Sequence, residues 1–277
     1  MSTGYQSTLF PGKKPNVLRE LLNAGKPTLG TRVFSPWPLI TEIAGNCKKF
    51  DYIEFLAEYA PLDQQDMENI ARAAEVHNMG TIIKVDYANR AFVAQKAIAS
   101  GFQAVLFADH RNAEEVNSSI KSVRADNPHD GGIAGYMPRR FIGYSLGVSP
   151  EQYSEMLRDI VCCFMVEKKE AVDNVEEICA VKGVDMIQFG PFDYAMNTGM
   201  NVADNAEELR KIEEKCIKTA LKHGVRPRCE IFTPEQAKHY IELGVKDFNI
   251  GGDVWTLASA WAKDGGAMRD IMSSNNL

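Results

Sequence analysis

Residues 162–199, CCFMVEKKEAVDNVEEICAVKGVDMIQFGPFDYAMNTG, restrict the fold more than any other stretch of this chain. An apolar run from Cys162 to Val166 ends on a carboxylate, Glu167. Ala171, Val175 and Ile178 follow at the spacing of one buried helix face. A second apolar run, Met186 to Phe189, then breaks at Gly190-Pro191 ahead of Asp193. Two strands joined through a helix form the βαβ unit of a parallel sheet, and here each strand delivers an acid at its carboxyl end. In a barrel of such units the strand C-termini share one mouth, where Glu167 and Asp193 can converge on a hard divalent cation. Both residues also suit plain local roles, Glu167 capping the helix and Asp193 closing an Asx turn.

The same alternation runs along the chain. Apolar runs over 28–34, 52–56, 80–85, 104–108, 161–166, 186–189, 227–231 and 248–250 predict eight strands, with helical segments between them. Eight such repeats in 277 residues fit a closed, parallel (β/α)8 TIM barrel of the α/β class in one domain, 1–277. Residues 1–15 read as an extended arm, and Asn16 as the N-cap of a helix over 16–22. A second helix is expected to begin at Ser35-Pro36, and one helix to join strands five and six. The connection over 125–149 is long and rich in glycine and proline, and is expected to cover the barrel mouth.

Charge and composition exclude several classes. A net charge of −6 without a basic run argues against a nucleic-acid partner. No stretch reaches the roughly 18 apolar residues that span a bilayer, and the N-terminus lacks the apolar core of a signal peptide. A cytoplasmic protein without a membrane partner is expected. Six cysteines without CxxC spacing fit a reduced compartment, and Cys229, beside Glu230 at a strand end, is the one cysteine to weigh as a nucleophile.

Other residues carry possible chemistry. Lys84 ends strand three, where its ammonium can enter the mouth or stay on the surface. Gly190 and Pro191 can bring backbone N–H groups toward a bound carboxylate, or make a simple strand-to-helix turn. Asp253, after Gly251-Gly252, can cap the terminal helix. Arg139 and Arg140 in the long connection can meet an anionic far end of a substrate, or remain solvated. The tail over 254–277 carries Trp255, Leu257, Trp261, Met268 and Ile271, more apolar surface than a free tail exposes.

Several of these segments resemble the HpcH/HpaI aldolases, in which a strand ending in V/I-E and a later G-P-x-D hold the metal. Here they read Val166-Glu167 and Gly190-Pro191-Phe192-Asp193, with further likeness in AGKPTLGTRVFS, EYAP at 58–61, GGIAGYMPRR at 131–140 and NIGGDVWTLA at 249–258. The resemblance implies a metal-dependent lyase acting on a 2-oxo acid such as pyruvate. Glu167 and Asp193 would bind Mg2+ or Mn2+, with Co2+ as a further option. Lys84 would stand in for an arginine that binds the pyruvate oxygens, and Asp253 would border the site. It further implies that the last helix swaps between protomers, giving a homo-oligomer, a hexamer built from dimers.

The sequence also departs from that family. The strand-two loop, usually D-G-E-H-A-P, reads Leu56-Ala57-Glu58-Tyr59-Ala60-Pro61, so Tyr59 replaces the histidine base. The aspartate that orients that base falls at Ala99, and His110 is the nearest other histidine. Proton transfer would fall to Tyr59, to Glu58 through water, or to a water on the metal. A carbon–carbon bond-forming synthase, like the citrate-forming relatives, and a non-catalytic oxo-acid sensor are the alternatives.

Overall fold

The structure is a computed structural model that describes residues 15–145 and 147–275; the expected arm lies outside these apart from Pro15. Helix α1 (Val17–Asn23) precedes strand β1 (Thr28–Val33), and Asn16 caps it by accepting the N–H of Arg19. There follow α2 (Pro38–Asn46), β2 (Tyr52–Leu56), α3 (Gln64–Val76), β3 (Gly80–Val85), α4 (Arg90–Ser100) and β4 (Ala104–Phe107). The second half continues with α5 (Ala113–Ser122), α6 (Pro150–Arg158), β5 (Val161–Val166), α7 (Lys169–Asp173), α8 (Val175–Ala180) and β6 (Met186–Phe189). It ends with α9 (Pro191–Thr198), α10 (Ala206–Lys222), β7 (Arg226–Ile231), α11 (Ala237–Glu242), β8 (Asp247–Gly252) and α12 (Asp253–Ser274). The strands pair in parallel in sequence order and β8 closes on β1, making the expected (β/α)8 barrel.

The period of two along each strand divides the side chains between two cores. Tyr52, Ile82, Leu106, Cys163, Met165 and Met186 pack together inside the barrel. Their neighbours Ile53, Phe55, Ile83, Val105, Phe107 and Phe164 pack outward beneath the helices. Each fully buried side chain of this kind contributes about 1.5–3 kcal/mol. Leu18 of α1 joins the inner cluster and so closes the N-terminal end of the barrel. Gly30 makes room for the ring of Tyr52, because a β-carbon at 30 would lie 2.2 Å from it. The inner layer above holds charge: Arg228 is ion-paired to Glu54, donates to Gln188 at 2.7 Å, and is fully buried.

Several expectations need correction. The connection over 125–149 leads from α5 to α6, after one strand has ended and before β5 begins, so it lies at the N-terminal end of the barrel, away from the mouth. There Arg140 Nη1 donates to Glu75 Oε1 at 2.7 Å and to the carbonyl of Ser100, at the C-terminal ends of α3 and α4. Helix α2 begins at Pro38, because the N–H groups of Phe34 and Ser35 are held by Asp253. The segment between β5 and β6 breaks into α7 and α8 at Asn174, whose amide donates to the carbonyl of Arg111.

Candidate active site

At the carboxyl ends of the strands a cavity of about 490 Å³ is lined by Arg32, Glu54, Leu56, Tyr59, Lys84, Gln188, Gly190, Asp193, Glu230, Phe232 and Trp255, among others. Lys84 reaches it because the inward row of β3 runs from Ile82 to Lys84. Its ammonium lies 2.6 Å from Glu58 Oε2 and donates to Tyr59 Oη at 2.7 Å. Burial alone would lower its pKa, but the carboxylates of Glu167 and Glu58 outweigh burial and hold the ammonium protonated. Desolvation raises the Tyr59 phenol above its usual value against the pull of Lys84, which keeps it a proton donor.

Glu167 follows β5 and is buried, 1 % exposed. Its Oε1 accepts the N–H of Asp109 at 2.9 Å, and among the described residues its Oε2 has no hydrogen-bond partner. Asp109 offers that N–H from a left-handed conformation (φ 63°), with its carboxylate 2.5 Å from Lys168. Burial pushes the Glu167 carboxyl up to about 7, against the attraction of Lys84. Glu167 does not cap α7, whose N-cap is Lys168. Asp193 lies in the first turn of α9, started by Pro191, and is half-buried at the cavity wall. Its backbone is helical, so no Asx turn forms there.

A divalent cation fits this pair on the chemistry of the donors. An orphaned, buried carboxylate oxygen lies beside a second half-buried carboxylate, both at the C-terminal end of the barrel. Among the described residues no group of three or more His, Cys, Asp or Glu side chains is gathered to hold a metal. A hard divalent cation tolerates such a sparse set when waters and substrate oxygens fill its remaining positions.

Other predicted residues sit elsewhere. Arg139 pairs with Glu68 on α3 at 2.6 Å and Arg140 with Glu75, so neither reaches the cavity; each found an acidic partner on the helical exterior. Asp253 begins α12 and accepts the N–H groups of Phe34, Ser35 and Val254, tying β1 to the last helix without lining the cavity. His110 is fully buried among Phe107, Phe164 and Tyr87, hydrogen-bonded to Ser119 at 2.7 Å, with burial lowering its pKa to about 3. It is a core residue. Cys229 is buried and its thiol is held well above the usual range by desolvation, so it is no nucleophile.

Reading by strand ends alone passed over the inward residues Arg32, Glu54, Gln188 and Glu230. A signal for them existed, since counting back by twos from each strand end marks the inner face. Arg32 is ion-paired to Glu230, donates Nε to the carbonyl of Gly251 at 2.9 Å, and stacks 4.3 Å from the Trp255 ring centre.

Residues 46–260 match the sequence profile of the HpcH/HpaI aldolase/citrate lyase family. The chain is 25% identical over 249 residues to a 5-keto-4-deoxy-D-glucarate aldolase of Klebsiella pneumoniae, an alignment that spans 90% of this chain and 95% of the relative. It is 23% identical over 252 residues to a hydroxypyruvate/pyruvate aldolase of Agrobacterium fabrum, spanning 88% of this chain and 90% of that one. Among solved structures, an HpcH/HpaI aldolase/citrate lyase family protein from Burkholderia cenocepacia superposes with a TM-score of 0.83 at 20% identity, covering 92% of this chain and 100% of that one. A family match across most of the barrel, together with two carboxylates at the ends of β5 and β6, places this chain in the HpcH/HpaI aldolase/citrate lyase family.

Proposed function

We propose that the chain is a divalent-metal-dependent carbon–carbon lyase that splits 4-hydroxy-2-oxo acids into pyruvate, or a close 2-oxo acid, and an aldehyde. One observation carries this reading: the buried Glu167, whose Oε2 has no hydrogen-bond partner among the described residues, lies within electrostatic reach of Asp193 and of the protonated Lys84, which both line the cavity. Glu167 and Asp193 are the metal ligands, with Mg2+ or Mn2+ as the ions of choice. Held there, a divalent cation would supply Lewis-acid stabilisation of negative charge developing on a substrate oxygen.

The chain's own groups do the rest. Lys84 places a fixed positive charge where negative charge grows on the oxo oxygen. Gly190 and Pro191 present the N-terminal end of α9 to the substrate carboxylate. Tyr59, held as a phenol beside Lys84, delivers a proton, and Glu58, also at Lys84, is the nearest carboxylate able to accept one. Among the candidates for proton transfer this gives Tyr59 the donor's part, because desolvation of the phenol outweighs the pull of the lysine.

Helix α12 has no buried residue, and Trp261, Met268 and Ile271 are more than half exposed. We propose that a second protomer covers this face in a homo-oligomer; light scattering that finds a monomer with α12 intact removes that part. The lyase reading is tested with chelator-stripped protein. Pyruvate release from 4-hydroxy-2-oxo acids should appear on adding Mg2+ or Mn2+. Neither release nor exchange of the pyruvate C3 protons with either metal overturns it.

A further inference from the structure

One wall of the cavity is a row of aromatic rings in mutual contact, running from Tyr59 beside Lys84 through Phe34 and Trp255 to Phe232. Tyr59 stacks on Phe34 (centroids 6.3 Å apart, 22° between planes). Phe34 meets Trp255 edge-on at 5.0 Å, and Trp255 meets Phe232 edge-on at 5.9 Å. The four come from the segments after β1, β2 and β7 and from the start of α12, and all line the cavity. Tyr59, Trp255 and Phe232 keep 53%, 38% and 50% of their surfaces exposed, so this wall has apolar area still to cover.

Polar groups beside these rings are bonded within the wall. Arg32 is paired with Glu230 and covered by Trp255. Tyr240 Oη donates to Glu213 at 3.0 Å. Among the described residues Arg32 Nη2 has no hydrogen-bond partner, and it is itself buried. The volume, about 490 Å³, falls in the roughly 300–1,000 Å³ range of pockets that enclose drug-sized ligands. A three-carbon oxo acid at Lys84 therefore leaves most of the space to the second half of the substrate.

We infer that this second half is aromatic: the acceptor is an aryl aldehyde, and the cleaved substrate is a 4-hydroxy-2-oxo acid with an aryl group on C4. The inference rests on the lyase reading and names its substrate class. A ring matches an arc of edges and faces by offset and edge-to-face contact, whereas a polyol or a distal carboxylate would leave its polar groups against carbon. In the condensing direction, C3 of pyruvate loses a proton to the enzyme's base. The C3 carbon then bonds to the aldehyde carbon, whose oxygen takes up a proton to become the 4-hydroxyl; no oxidant or reductant is needed. Cleavage runs the same steps backward.

The experiment has two stages on the full-length, Mg2+-loaded protein. Exchange of the pyruvate C3 protons in heavy water, followed by NMR, reports on the oxo-acid end alone. If exchange fails, the lyase reading falls and this inference with it. With exchange present, kcat/KM for condensation is compared for benzaldehyde, butanal, glyceraldehyde and succinic semialdehyde. Benzaldehyde should exceed butanal by about tenfold, the worth of one or two aromatic contacts. Phe232→Ala and Phe34→Leu should each bring the benzaldehyde-to-butanal ratio toward one, a ratio that a loss of folded protein does not alter. Equal rates or a preference for butanal or glyceraldehyde overturn the aromatic subsite. A preference for succinic semialdehyde overturns it in favour of Arg32 as a carboxylate reader.

Discussion

A β-carbon on residue 190 would stand 2.7 Å from Oε2 of Glu167 and 2.8 Å from its Cβ, so the glycine at 190 is what leaves that carboxylate its place. The backbone at 190 (φ −111°, ψ 91°) is open to any residue, so alanine there meets a clash rather than backbone strain. Gly190→Ala should push the carboxylate aside and weaken Mn2+ affinity about 10–100-fold, the range seen when a ligand's supporting contacts are lost. Isothermal titration calorimetry checks it. Wild-type affinity in the variant would mean that Glu167 is not a ligand.

Glu167→Gln keeps the bond from the Asp109 N–H but removes the charge, so metal binding should be lost with the barrel intact. The metal-free protein gives an independent readout. Because the folded pKa is raised from 4.5 to about 7, this carboxyl favours folding below pH 4.5 and loses that contribution as pH rises through 7. At pH 8 the variant should therefore be the more stable by on the order of 2–3 kcal/mol, and the difference should shrink toward pH 5. Denaturant unfolding at the two pH values decides it.

Lys84→Met should lower kcat about 10²–10³-fold, the usual cost of removing one preorganised stabiliser of developing negative charge. Tyr59→Phe should cost about 10²–10⁴-fold while leaving metal affinity unchanged, since the phenol contacts Lys84 rather than the carboxylate pair. Steady-state rates with and without excess metal separate the two effects. A Tyr59→Phe enzyme with wild-type kcat would exclude the phenol from proton transfer.

Arg140→Ala should destabilise the fold and spare the chemistry. Its guanidinium is buried between Glu75 and the end of α4, and loss of a largely buried charge partner costs about 1–3 kcal/mol. The thermal midpoint should fall by several degrees while kcat/KM stays at the wild-type value. A change in KM with unaltered stability would return Arg140 to the substrate site.

The barrel was readable in the chain because the periodicity of two along strands and of 3.6 along helices is local chemistry. Strands β2, β3, β5 and β6 fall on the residues that the apolar runs marked. That Glu167 and Asp193 lie at the same end of the barrel was also legible, since a parallel barrel brings all strand C-termini to one end whatever the details of packing. What tertiary structure decided was which charged side chain met which partner. Arg139 and Arg140 went to Glu68 and Glu75, Asp253 went to backbone N–H groups, and His110 went into the core. The pKa order of Lys84, Tyr59 and Glu167 depends on burial and on distances between residues as many as 108 positions apart (from 59 to 167). Local sequence carries the hydrophobic period, but ion pairing and desolvation act through space between strands that only closure of the barrel brings together.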